Sequence, residues 1–367
     1  MKDDRVEKLA DILVNYSLPV KEGDLVAIRG PYTAEPLMLA LYRRCLERGS
    51  NPILRASIPQ AEAYFYRFAG DAQLEYVWEM DRWLIDNLDA TFSIIADANT
   101  RQLSRVEPGR EALAARARKP LMDRFFERSA ADELGWSVTL FPTEALAQEA
   151  EMSLAEFEDF YYSACLVDAD DPVAAWRETA ERHRRLIDWM RGRNLVHIEG
   201  EGTDLYLEVG ERKFLPADGK ENFPDGEIFT GPKEDATRGH VTFTYPAIFG
   251  GRSVEGIRLE FEGGRVVDAS AHKNEDYLLK TLDTDPGARV LGELGIGTNY
   301  GIERFTGELL LDEKMGGTVH LALGASYPES GGVNESAIHW DMVCDLRKGG
   351  TITVDGDRLM EDGKLLV

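Results

Sequence analysis

The sequence predicts an α/β N-terminal domain with a mostly parallel sheet, followed by a β-rich α+β domain. Three observations carry this. Of 34 glycines, 7 fall in residues 1–192 and 27 in residues 193–367. The first part is written in helical periods separated by short apolar runs. The second is written in alternating strands punctuated by glycine pairs. The expected domains are therefore residues 1–192 and 193–367, joined through Arg191-Gly192-Arg193-Asn194.

In the first domain Val6, Leu9, Ile12, Leu13 and Tyr16 share one face of a helix. Glu22-Gly23-Asp24 turns into a short apolar strand, Leu25-Val26-Ala27-Ile28. A helix over about 34–48 is closed by Gly49 and followed by Pro52-Ile53-Leu54. Phe92-Ser93-Ile94-Ile95 and Val138-Thr139-Leu140-Phe141 read as further strands between helical stretches. This alternation predicts parallel strands with helices on their faces. Ser153 and Glu156 have the spacing of a capping box, and an amphipathic helix runs from about Asp171 to Met190.

In the second domain Asp204–Val209, Ile257–Phe261 and Thr351–Val354 alternate with period two. Gly263-Gly264, Gly316-Gly317 and Gly349-Gly350 stand where hairpin turns are expected. The pattern suits an antiparallel or barrel-like arrangement with few helices.

Composition narrows the function. Hydrophobic residues at 43% and charged residues at 29% describe an ordinary soluble globular chain able to bury a core. The net charge of −24 argues against nucleic acid or an anionic membrane as partner, and favours cations or ammonium-bearing substrates. No run of apolar residues is long enough to span a bilayer. The charged N-terminus lacks a signal-peptide core. Three scattered cysteines, Cys45, Cys165 and Cys344, suit core thiols in a reducing cytosol, so a cytoplasmic location is expected. No GxGxxG follows a strand, and there is no Walker A lysine, GxSxG elbow or HExxH helix.

Histidine leads to the chemistry. Five of the six histidines lie in the second domain; the sixth, His183, sits among arginines and reads as a surface residue. In His339-Trp340-Asp341 a strand would put the imidazole and carboxylate on one face and turn the indole away into packing. His320 lies in the apolar stretch Thr318–Gly324. Glu227 and Glu293 also stand among apolar and small residues, where a carboxylate must be neutralised, paired or bound to a cation.

The segments NFPDGEIFTGP, LGELGIGTN, GTVHLALGASYP and NESAIHWDMV, in that order, resemble the two-metal metallopeptidase family of thermophilic aminopeptidase T, aminopeptidase S and aminopeptidase II. The opening segments LADILVNYSLPVKEGDLVAIRG and AEPLMLALYRRCLERG are also similar to that family's N-terminal domain. The resemblance implies that Glu227, Glu293, His320, His339 and Asp341 bind two divalent ions, and assigns Tyr327 to the metal centre. It makes 193–367 a catalytic metal-binding domain and implies a homodimer. The chain is shorter than typical members between Tyr327 and His339, which bears on pocket shape.

The expected function is a metallo-aminopeptidase that removes single N-terminal residues from peptides with a free N-terminus. Attack would come from a metal-bridging water. Glu293 is the expected bridging ligand, with Glu227 and Asp341 on one metal and His320 and His339 on the other. Tyr327 would ligate a metal or stabilise the oxyanion. Mixed nitrogen and oxygen donors suit zinc, cobalt or manganese. Glu313 is a candidate base, although Asp312-Glu313-Lys314 reads as solvated surface. The alternative is a mononuclear non-haem iron ring-cleaving dioxygenase of the same fold, whose ligand set is smaller and richer in histidine. Retention of both Glu227 and Glu293 favours the hydrolase.

Overall fold

The computed structural model describes residues 3–367, which form two compact units. One holds the chain up to Val173 together with Gly219–Pro224; the other holds Ala174–Asp218 and Asp225–Val367. Residue 192 lies within the first segment of the second unit. The helix Pro172–Met190 buries Leu186 and Met190 in the same apolar core as the strands that follow it.

The first unit is an α/β layer. Its strands are β1 (Leu25–Pro31), β2 (Asn51–Ser57), β3 (Ala90–Ile95) and β4 (Gly135–Leu140), with Asn222–Phe223 added at the edge. The order is β2-β1-β3-β4 and then Asn222–Phe223, and every pair is parallel. Val26, Ala27 and Ile28 are wholly buried, as a strand covered on both faces requires. The helix Asp4–Ile12 is capped by the Asp3 carboxylate, which accepts from Arg5 N. The predicted face is buried throughout, but its last turn, Leu13–Ser17, is π-helical. The helix Glu35–Glu47 closes at Gly49, whose φ of +79° an L side chain resists. Ser153 and Glu156 form the expected reciprocal cap, opening the helix Leu154–Ala164.

The second unit contains an eight-stranded and a five-stranded sheet, with antiparallel pairing throughout, and a two-stranded ribbon. Inward side chains of both larger sheets, among them Ile198, Leu205, Leu294, Val319 and Met342, share one buried cluster. Of the three glycine pairs only Gly263-Gly264 makes a hairpin turn, between Arg258–Glu262 and Arg265–Ser270. Gly316-Gly317 ends a long excursion between two paired strands. Gly349-Gly350 passes the chain from one sheet to the other. Paired glycines permit a sharp turn, but long-range pairing decides which strands it joins.

His183 corrects the surface reading. It is 1% exposed, on the buried face that also carries Thr179, Ala180 and Leu186, while its arginine neighbours in sequence point outward. Its Nε2 lies 2.7 Å from Thr298 Oγ1. The three cysteines are free and buried. Among the described residues no helix is long and apolar enough to cross a membrane.

Candidate metal centre

The five-stranded sheet runs His339–Asp345, Thr318–Gly324, Leu291–Gly297, Glu227–Thr230, Leu215–Ala217. Its register sorts the side chains. Gly297 faces Glu227, Gly295 faces both Phe229 and His320, and Ala322 faces both Glu293 and Asp341. Gly324 pairs with His339. Residues paired across a sheet project from the same face, and i and i+2 share it. Glu227, Glu293, His320, His339 and Asp341 therefore emerge on one face, interspersed with small residues. The opposite face carries Ile228, Leu294, Ile296, Val319, Leu321, Leu323, Trp340 and Met342, all in the core. Trp340 faces away from the site as predicted, with its ring 5.3 Å from that of Phe249.

Glu293 stands at the middle. Its Oε1 lies 3.3 Å from His320 Nε2 and its Oε2 3.2 Å from His339 Nε2. Asp341 Oδ1 is 3.5 Å from His339 Nε2, and Glu227 Oε2 is 3.3 Å from His320 Nδ1. The donors thus converge as Glu227, Glu293 and His320, and as Glu293, His339 and Asp341. This grouping differs from the expected one, which set Glu227 with Asp341 and His320 with His339. The strand order sets Glu227 beside His320 and keeps His339 with Asp341 two residues along one strand.

The far side of each imidazole is engaged by backbone. His320 Nδ1 lies 3.1 Å from the Glu313 carbonyl and His339 Nδ1 lies 2.8 Å from the Ala325 carbonyl. A carbonyl only accepts, so both Nδ1 atoms carry the proton and both Nε2 atoms turn toward Glu293. Glu227 Oε2 and Asp341 Oδ1 are buried and accept no hydrogen bond. Buried acceptors without donors, beside imidazoles whose tautomers are set from behind, fit a divalent cation centre.

The electrostatics follow. Burial works against charge on both imidazoles but is outweighed by carboxylates. Glu227 and Glu293 raise His320 to about 10, and Asp341 and Glu293 raise His339 to about 11. Burial opposes ionisation of Glu293, yet the two histidines hold it down at about 2. Without metal the site gathers protons in place of cations.

Tyr327 is brought alongside, with its ring 5.2 Å from His339 and 5.5 Å from Phe229, and remains 44% exposed at the rim. Glu313 is not solvated surface: its carboxylate gathers with His320 and Asp341. Lys314 is the residue missed by sequence reading. It is 2% exposed and contacts Glu227 Oε1 and Glu313 Oε1, with Asp225 Oδ1 at 3.7 Å. Burial disfavours its charge, but Glu227, Glu313 and Asp225 prevail and keep it protonated. A charged triplet before a glycine turn gives no local sign of burial.

Known proteins share this architecture. The wild-type AmpT structure from Thermus thermophilus superposes with a TM-score of 0.83 at 23% identity, covering 99% of each chain. The 2,5-dihydroxypyridine dioxygenase of Pseudomonas putida KT2440 superposes with a TM-score of 0.59 at 12% identity, covering 99% of this chain and 97% of that one. At these identities the likeness is one of fold. Aminopeptidase 2 of Geobacillus stearothermophilus is 28% identical, covering 96% of this chain and 95% of its own. Aminopeptidase T of Thermus aquaticus is 27% identical, covering 98% and 96%. The model of the thermophilic metalloprotease family (M29) matches residues 2–365, and the chain belongs to that family.

Proposed function

We propose that this metallo-aminopeptidase removes single N-terminal residues from peptides at a centre for two divalent ions, zinc, cobalt or manganese. Glu227, Glu293 and His320 would hold one ion, and Glu293, His339 and Asp341 the other. The observation that carries the reading is Glu293, whose two oxygens each face the Nε2 of a different histidine. The donor chemistry supports a cation centre. Asp225, Glu227, Glu293, Glu313 and Asp341 gather five carboxyl groups around the single ammonium of Lys314, an oxygen-rich set that with two imidazoles suits divalent ions.

When bound, the ions supply Lewis acidity toward the scissile carbonyl and make the attacking water more acidic. The chain's own groups arrange the rest. The Glu313 and Ala325 carbonyls orient the imidazoles, and Lys314 holds one oxygen of Glu227. Tyr327, at the rim beside His339, donates its hydroxyl proton to the carbonyl oxygen as negative charge develops there. Removal from a free N-terminus is supported by the relatives named aminopeptidases. The dioxygenase likeness extends to fold alone. The proposal places the chemistry in residues 193–367 and has the protein act as a cytoplasmic homodimer, the dimer being testable by light scattering after size exclusion.

The test is hydrolysis of an L-leucine anilide by chelator-stripped protein, before and after addition of cobalt, zinc or manganese. Metal-restored release is expected. Absence of release with all three ions, alongside consumption of oxygen with an N-heterocyclic diol and ferrous iron, would overturn the assignment.

A further inference from the structure

Gly295 occupies the centre of the site's sheet, paired with Phe229 on one side and His320 on the other. Its backbone is not among those with positive φ, so its conformation is open to any L residue. What it provides is space. A Cβ built there would fall 1.8 Å from Cε1, 2.2 Å from Nε2 and 2.6 Å from Nδ1 of His320. The imidazole therefore lies across the strand where a side chain would stand.

The neighbouring glycines differ. At Gly292 a Cβ would strike the Ala325 and Gly324 carbonyls, and at Gly297 the Met315 carbonyl, so both are needed for close backbone approach. At Gly295 all three nearest atoms belong to one ring.

We propose that Gly295 is a positioning residue for His320, a recess in the sheet that sets the ring between Glu313 and Glu293. The inference rests on the metal-centre reading given above. An added methyl lifts the ring away from the Glu313 carbonyl, 3.1 Å from Nδ1, and from Glu293 Oε1, 3.3 Å from Nε2. The His339 ring is held separately, its Nδ1 2.8 Å from the Ala325 carbonyl, and is expected to keep its place.

The test compares the full chain with Gly295→Ala, His320→Ala and the double variant. Calorimetric titration of chelator-stripped protein with zinc is expected to give two ions for the unaltered chain. In Gly295→Ala one ion binds about 10–100-fold more weakly, the range for losing an orienting contact to a metal ligand, while the other is retained. Adding Gly295→Ala to His320→Ala changes neither zinc binding nor melting temperature further. Unaltered two-ion binding by Gly295→Ala overturns the proposal. So does a fall in melting temperature of equal size in both backgrounds, which marks a role in strand packing instead.

A metal-free readout separates this proposal from the two-metal reading. In ¹⁵N-histidine-labelled protein without metal, Gly295→Ala is expected to shift the His320 ring signals and leave those of His339 in place. Unmoved His320 signals overturn the positioning role. If the unaltered chain binds no zinc while those signals do shift, the metal-centre reading fails and the recess stands.

Discussion

Lys314 takes one oxygen of Glu227 and leaves the other bare. The ammonium contacts Oε1, while Oε2 is buried and accepts no hydrogen bond. The lysine thereby divides the carboxylate into an anchored half and a half presented to His320, 3.3 Å from its Nδ1.

Lys314→Met should destabilise the metal-free protein by about 3–5 kcal/mol, the cost of leaving buried charge without its partner. Glu227, Glu313 and Asp225 would lose their shared cation together. Urea unfolding in the presence of chelator measures this. An unchanged midpoint would show that the carboxylates take up protons without penalty.

Glu293→Gln should lower turnover of a leucine anilide more than about 100-fold, beyond the loss expected from a merely orienting partner. The amide replaces an oxygen that faces His320 or His339 with a donor, so one of the two triads loses its Glu293 oxygen and the bridge between them is broken. Far-UV circular dichroism should remain native, because the sheet's opposite face is unaltered. Normal turnover would remove Glu293 from the mechanism.

Metal binding should release protons. With His320 raised to about 10 and His339 to about 11, both imidazoles are charged in the metal-free protein at neutral pH. Each must give up its Nε2 proton to become a ligand. Burial also raises Glu227 to about 8, so zinc titrations near neutral pH in two buffers of different ionisation enthalpy should show about three protons released per chain, and affinity should rise with pH. Release of none would place the ions on other donors.

His183 should make stability fall with acid. Burial, helped by Arg182, lowers it from 6.5 to about 4, with Asp218 opposing. Above pH 6.5 the ring is neutral whether folded or unfolded, and stability is complete. As pH falls from 6.5 toward 4 the unfolded chain takes the proton first, so stability is lost across that window, by roughly 3 kcal/mol in all. His183→Gln should flatten that part of the stability–pH curve, read by denaturant unfolding at several pH values. An identical slope would show that the buried ring is protonated freely.

Much of the fold was legible locally. The apolar run at Val26–Ile28, the capping pair Ser153–Glu156 and the alternation around His339–Asp341 each owe their form to neighbours within a few residues. The glycine pairs were less informative, because a turn's geometry does not specify the strand it delivers. His183 and Lys314 were misread for a related reason. A charged or polar neighbourhood in sequence shows a residue's company along the chain, whereas burial depends on what packs over it.

The sequence by itself determined the α/β and β-rich halves and the residue types able to ligate metal, since period, capping and strand alternation are short-range. Only the tertiary structure decided that Glu227 meets His320 and that Glu293 stands between His320 and His339. It also set Lys314 among three carboxylates and laid an imidazole over Gly295. Those pairings arise from the order and register of four strands distant in sequence, which are set by burying one apolar face rather than by any local pattern.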